Sequence, residues 1–103
     1  MTRVNYSVYA LDLVGGFRHK GLREIHATGR TRRIGIDHAR KCGRILQLLE
    51  IAERPADMNI AGFHFHGLQG GPKRWSVRVT GNYRITFGWS GKDAVDIDFE
   101  DYH

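Results

Sequence analysis

Residues Asp101, Tyr102 and His103 stand consecutively and combine three side chains that proton-transfer chemistry uses. A carboxylate accepts a proton, a phenol donates one, and an imidazole titrates near neutral pH. Polar residues at a chain end often form a frayed tail. Here, however, residues 94–99 alternate apolar and polar side chains, as a half-buried strand does. We therefore expect a strand to hold these three residues in place.

Composition indicates one small soluble domain, and it excludes a membrane-spanning protein and a disulfide-stabilised one. The chain has 103 residues, of which 41% are hydrophobic and 26% charged, and no apolar stretch approaches the roughly 20 residues of a membrane-spanning helix. Its single cysteine, Cys42, excludes an internal disulfide and favours a reducing compartment, so we expect a cytoplasmic protein. The net charge of +5 favours a polyanionic partner, nucleic acid above all.

Two helices are predicted in the first half of the chain. The spacing of Leu22 and Ile25 predicts a short helix over residues 20–27, ended by Gly29. Apolar residues recur every three or four positions over residues 37–52, which predicts a longer amphipathic helix. Cys42 lies on that apolar stripe, and we expect it to be a core residue.

The second half is typical of an antiparallel sheet. Alternating side chains and glycine-rich turns predict four strands, over residues 62–68, 75–79, 83–89 and 94–99. A three-residue loop at 80–82 keeps both faces of the middle hairpin uniform, whereas a one-residue slip would flip every side chain. This register pairs Arg78 with Arg84 on one face. Adjacent arginines repel one another unless an anion lies over them or neighbouring acids pair with them.

Three segments together resemble the HigB-type toxins of the RelE/ParE superfamily. They are Phe17-Arg18-His19-Lys20-Gly21-Leu22, the hairpin of residues 75–87, and Phe99-Glu100-Asp101-Tyr102-His103. The resemblance implies an α+β fold in which two N-terminal helices pack on a small twisted antiparallel sheet of about four strands. It covers residues 13–103 as a single domain, and residues 1–12 form an N-terminal extension that is an extra strand, a flexible arm or the product of an upstream start codon.

The resemblance also implies a function. Such toxins are expected to cleave mRNA in the ribosomal A site, without a metal or other cofactor, by attack of the RNA 2′-hydroxyl on the adjacent phosphate. The implied partners are a HigA-type helix-turn-helix antitoxin, the ribosome and mRNA. DNA is contacted only indirectly through the antitoxin complex, and no membrane is involved.

Matching positions carry the implied site residues. The catalytic set is His66, Arg84, Asp101, Tyr102 and His103. Either histidine can serve as acid or base, Asp101 can orient an imidazole or act as base, and Tyr102 can stack on a base or donate a proton. The residues implied to bind RNA are Lys20, Lys73, Arg74 and Arg78. The lysine that relatives carry shortly after the first histidine is missing, because this chain has Gln69, and Lys73 or Arg74 lies close enough to substitute.

Other functions remain open at the level of sequence. A ParE-like toxin of the same fold would inhibit DNA gyrase without cleaving RNA, and would not need His66, Asp101 and His103 together. A third class is a basic nucleic-acid-binding module that acts only as a co-repressor. His64 and His66, with His103, also offer three histidines for a metal, against the metal-free reaction that the resemblance implies.

Overall fold

Two helices and four strands follow one another along residues 16–101, the part of the chain that this computed structural model describes. The helices are α1 (Lys20–Thr28) and α2 (Ile36–Ile51), followed by a 3₁₀ turn at Pro55–Met58. The strands are β1 (His66–Gly67), β2 (Trp75–Arg78), β3 (Tyr83–Ser90) and β4 (Asp93–Asp101). The expected α+β architecture is thereby confirmed. Tyr102, His103 and the predicted N-terminal extension lie outside the described residues.

Both helices begin and end close to where the sequence predicts. The imidazole Nδ1 of His19 caps α1 by accepting the backbone N–H of Gly21 at 3.0 Å. Gly29 ends α1 with φ of 81°, a left-handed conformation that favours glycine. Helix α2 buries Cys42 completely, and burial raises the pKa of its thiol to about 12, so Cys42 is a core residue as predicted. No helix among residues 16–101 has the length and apolarity to span a membrane.

Two isoleucines on α2 offer a matched test of the core. Ile45 is 0% exposed, whereas Ile36 at the start of the same helix is 78% exposed. We expect Ile45→Ala to lower the free energy of unfolding by about 2–5 kcal/mol, because it leaves a cavity in a packed core. Ile36→Ala should change it by less than about 0.5 kcal/mol. Urea denaturation of both variants measures the difference, and equal losses would contradict this placement of the core.

The four strands form one antiparallel sheet in the order β1-β2-β3-β4. Within the β2–β3 hairpin, Arg78 pairs with Arg84, and the N–H of Val79 donates to the carbonyl of Tyr83 at 2.9 Å. The three-residue loop and its register are therefore confirmed. The consequence for the site is that two arginines stand side by side on one face.

The first strand is shorter than the predicted span of residues 62–68. Gly62 and His64 adopt φ of 89° and 48°, left-handed conformations that interrupt an extended strand. The segment nevertheless follows β2, because the carbonyl of Phe63 accepts the N–H of Arg78 at 2.6 Å. Only His66 and Gly67 pair as a regular strand, opposite Ser76 and Trp75.

A bulge in β4 gives that strand one more residue than β3 across the same stretch. Thr86 pairs with Asp98 and Gly88 with Val95, and Asp96 within the bulge has φ of 50°. Beside the bulge, the N–H of Ile97 donates to the carbonyl of Gly16 at 3.0 Å, and its carbonyl accepts the N–H of Arg18 at 2.8 Å. The chain entering α1 is thereby attached to the outer edge of the sheet.

The helices cover one face of the sheet, and polar side chains line the other, where Ser76 and Thr86 are themselves fully buried. The helices pack against the covered face, which buries Val77, Ile85, Phe87 and Ile97 completely. Trp75 and Trp89 pack against the ring of Phe87 there, with centroids 6.2 Å away in each case. The opposite side, called the outer face below, carries the polar members of the strands. They are His66, Ser76, Arg78, Arg84, Thr86, Asp98 and Glu100.

Candidate active site

Two rows of side chains cross the outer face from strand to strand. One row runs from His66 through Ser76 and Thr86 to Asp98, and the other from Arg78 through Arg84 to Glu100. Neighbouring strands lie about 4.8 Å apart and alternate residues about 7 Å apart. The Cα atoms of His66 and Arg84 are therefore separated by roughly 12 Å. Side chains from both can approach one phosphate group placed between them.

A connected set of polar contacts holds Arg84 on this face. Its Nη2 lies 3.7 Å from Oε1 of Glu100, and the arginine side chain is 22% exposed. The other carboxylate oxygen of Glu100 accepts a short hydrogen bond from the Thr86 hydroxyl. Thr86 in turn accepts from Nη2 of Arg74 at 2.9 Å. The guanidinium is thus held in place before any ligand arrives.

Arg74 is an integral part of this arrangement as well as a cation. Besides Thr86, its Nη2 donates to the carbonyl of Asp96 in the β4 bulge at 2.9 Å. Partial burial lowers the pKa of its guanidinium, and the positive charge of Arg18 acts in the same direction. Arginine nevertheless stays protonated in proteins. Arg74 therefore contributes a positive charge beside Thr86.

The position of His66 follows from the turn at His64. Nδ1 of His66 lies 2.9 Å from the carbonyl oxygen of His64. A carbonyl oxygen only accepts, so Nδ1 donates, and in the neutral ring the lone pair resides on Nε2. His66 is exposed. Its imidazole therefore offers a basic nitrogen at the surface, with a tautomer that its own chain selects.

His64 also holds the second arginine of the row. Its Nε2 lies 3.1 Å from Nη1 of Arg78, and because a guanidinium only donates, Nε2 accepts this bond. The two paired arginines therefore have different neighbours, since Glu100 lies beside Arg84 and His64 beside Arg78. Together these contacts reduce the repulsion that the register predicts.

The remaining sequence-predicted residues do not all join the outer face. Asp101 pairs with Tyr83 and so lies on the covered side, together with Phe99, whereas Arg84 and Glu100 point the other way. The backbone of β4 nevertheless ends beside Arg84. Tyr102 and His103 follow that end and are among the residues that the structure does not describe.

Both predicted RNA-binding lysines lie away from the arginine row. The ammonium of Lys73 lies 5.8 Å from the centroid of the Trp75 ring, close to Gly67, the residue after His66. Gly67 and Trp75 face the covered side, so the Lys73 ammonium lies on the side of the strand opposite the His66 side chain. Lys20 is the first residue of α1 and belongs to the helical layer.

Of the three histidines in the metal alternative, His64 and His66 belong to the described residues and His103 does not. Among residues 16–101, no group of three His, Cys, Asp or Glu side chains is arranged to hold a metal ion. Nδ1 of His66 faces a carbonyl oxygen and Nε2 of His64 faces Arg78. His64 thus selects the tautomer of His66 and accepts a hydrogen bond from Arg78.

Sequence reasoning missed His64, Thr86 and Glu100 as members of the site. The signal for the last two was present, since both occupy polar positions of the strands that carry Arg84 and the terminal residues. Strand register places them beside Arg84. No local sequence pattern predicts the positive φ of His64. This conformation arises from the turn that brings the chain alongside β2.

A four-stranded sheet backed by two helices, with a cationic outer face, defines a class of small basic α+β proteins. Comparison with known proteins identifies the class more closely. Residues 15–103 match the family described as RelE-like toxin of type II toxin-antitoxin system HigB. The chain is also 30% identical over 92 residues to Endoribonuclease HigB of Proteus vulgaris, across 88% of this chain and 100% of that protein. The chain belongs to the HigB-like family of type II toxin–antitoxin toxins.

Proposed function

We propose that this protein is an endoribonuclease toxin that cleaves mRNA in the ribosomal A site and thereby inhibits translation. The observation that carries the proposal is the outer face, which carries both the paired arginines and an exposed histidine whose Nδ1 contact leaves the lone pair on Nε2. A base and a set of fixed cations are what cleavage of RNA by its own 2′-hydroxyl needs. The name of the Proteus vulgaris relative supports the same activity.

In the proposed reaction, Nε2 of His66 takes the proton of the 2′-hydroxyl as its oxygen attacks the adjacent phosphorus. Arg84 and Arg78 stabilise the additional negative charge of the phosphorane, and Arg84 is suited to bidentate contact with two phosphate oxygens. The bond from phosphorus to the 5′-oxygen then breaks. A 2′,3′-cyclic phosphate forms on one fragment and a 5′-hydroxyl on the other.

The terminal residues complete the proposal. The leaving 5′-oxygen needs a proton, which we assign to His103, and Tyr102 stacks on a base or donates a proton beside it. The side of the sheet on which Asp101 lies favours its orienting role over its role as the base. Every group in this scheme is a side chain, so the proposed reaction needs no metal.

The proposed partners follow from this reaction and from the family. A HigA-type helix-turn-helix antitoxin would neutralise the toxin, and DNA would be contacted only through that complex. The ribosome would supply the mRNA in the A site, in the cytoplasm. The basic composition, with a net charge of +5, supports binding to ribosomal and messenger RNA.

Reconstituted translation complexes test ribosome dependence. Purified toxin should cleave mRNA within the A-site codon of stalled ribosomes, and free mRNA of the same sequence should stay intact. Primer extension locates the cut. Equal cleavage of free and ribosome-bound mRNA would contradict ribosome dependence. Intact mRNA in both samples, with DNA breaks in a gyrase assay, would instead support the ParE-like alternative.

A further inference from the structure

A pocket of about 470 Å³ lies on the covered side of the sheet, at the end where β3 begins and β4 stops. It is distinct from the outer face, because its strand residues alternate with those of the arginine row. Its volume falls in the range of small-ligand pockets. The side chains that matter for its chemistry are His19, Arg33, His38, Tyr83, Phe99 and Asp101.

Four aromatic rings form a continuous series along this pocket. Tyr83 and Phe99 stack with centroids 5.1 Å apart and planes inclined by 11°. His38 lies 5.4 Å from Tyr83 on one side, and His19 lies 5.5 Å from Phe99 on the other. All four residues are only partly buried. A series of partly exposed rings suits a flat heteroaromatic ligand such as a nucleobase. Every base has a π-face, so any of them can stack on such rings.

The ring of His19 is held in one orientation. Its Nδ1 accepts the N–H of Gly21 at 3.0 Å, so in the neutral ring the proton is on Nε2. Position 21 needs glycine for this arrangement, because a Cβ there would lie 2.8 Å from Cε1 of the imidazole. His19 therefore presents a ring N–H donor together with its aromatic face.

Both signs of charge line the pocket, since the Asp101 carboxylate stands at its edge, but the turn beside it is basic. Arg33 lines it and is half exposed, and Arg30 and Arg32 line an adjoining cleft. Of the acidic groups near these arginines, Glu24 already accepts from the Thr31 hydroxyl at 2.5 Å and lies 3.5 Å from Arg33. Aromatic rings beside a basic turn match the two parts of a nucleotide, its flat base and its phosphate.

Chain connectivity links this pocket to the outer face. Tyr83 and Arg84 are consecutive residues of β3 that point to opposite sides of the sheet. A flexible single strand that passes around this end of the sheet reaches both. Double-stranded nucleic acid cannot do so, because its stacked bases are not available to the rings.

We propose that this pocket is a second RNA subsite, which holds an unstacked nucleotide of a single strand beyond the bond that is cut. The inference rests on the proposed function, since it takes RNA as the substrate. The base stacks on the rings that run from His38 to His19, and Arg33 contacts the adjoining phosphate. The strand belongs either to the mRNA or to an unpaired ribosomal RNA segment.

Binding assays with His38→Ala and Arg33→Gln test the subsite separately from cleavage. Fluorescence anisotropy uses a single-stranded RNA whose 2′-hydroxyls are methylated, so that wild-type protein binds without cutting. We expect His38→Ala to weaken binding by about 5–100-fold, the range for loss of one base-stacking ring. Arg32→Gln is the control for Arg33→Gln, because it removes the same charge from the same turn outside the pocket.

The two RNA sources give different patterns. Weaker binding to the free oligonucleotide places the mRNA strand in the pocket, whereas weaker binding only to vacant ribosomes places ribosomal RNA there. Unchanged binding in both assays overturns the subsite, as does an equal loss in the Arg32→Gln control. Circular dichroism confirms that each variant is folded. Failure of the wild-type protein to cleave any mRNA would contradict the proposed function and leave the binding comparison interpretable.

Discussion

Replacing His66 with alanine should lower the rate of mRNA cleavage by about 10²–10⁴-fold, because the 2′-hydroxyl loses its general base. The side chain is exposed, so the fold should tolerate the change. Single-turnover cleavage on stalled ribosomes, with toxin in excess, measures the chemical step rather than product release.

Asparagine at position 66 separates a basic from a structural role. Its amide group can still donate to the carbonyl of His64, as Nδ1 of His66 does at 2.9 Å, yet it offers no basic nitrogen. We expect His66→Asn to be as impaired as His66→Ala. If His66→Asn cleaves at the wild-type rate, the imidazole only shapes the turn, and the assignment of the base is wrong.

Replacing Arg84 with alanine should lower the cleavage rate by about 10²–10³-fold, the usual cost of losing one group that stabilises transition-state charge. The same change removes the cation beside Glu100, which lies 3.7 Å away and is 34% exposed. Some loss of stability is therefore expected as well. Thermal unfolding and single-turnover cleavage must be measured on the same preparation.

Two further variants distinguish catalysis from stability at this position. Arg84→Lys keeps a positive charge near Glu100 but loses the planar fork that contacts two phosphate oxygens. It should therefore unfold close to the wild-type temperature and still cleave slowly. The double variant Arg84→Ala/Glu100→Gln removes the unpaired carboxylate. Recovery of cleavage in the double variant would contradict the direct role of Arg84.

Local sequence patterns were sufficient to predict the helices and the central hairpin. The apolar stripe around Ile45 fixes the buried side of α2, and Gly29 ends α1 by its left-handed conformation. In the hairpin, only one loop length keeps each face uniform, which placed Arg78 opposite Arg84. These features depend on a few neighbouring residues, so periodicity and turn chemistry suffice.

Features that depend on distant contacts were harder to predict. The left-handed His64 and the bulge at Asp96 reflect how two segments meet the sheet, and neither residue is a glycine that would signal a turn. The side of the sheet on which Asp101 lies was predictable, in contrast, because Asp101 is two residues from Phe99 and alternation puts both on the covered side. Resemblance grouped Asp101 with Arg84, whereas strand alternation separates them.

The chemical identity of the RNA ends tests the central claim most directly. Toxin, stalled ribosomes and mRNA are incubated in a buffer that keeps ribosomes intact, and the fragments are analysed by mass spectrometry. Attack by the 2′-hydroxyl predicts a 2′,3′-cyclic phosphate on the upstream fragment and a 5′-hydroxyl on the downstream one. A 2′-deoxy nucleotide at the cut site should abolish cleavage. Fragments that carry a 3′-hydroxyl and a 5′-phosphate would show that water attacks instead, and the proposed roles of His66 and Arg84 would fail.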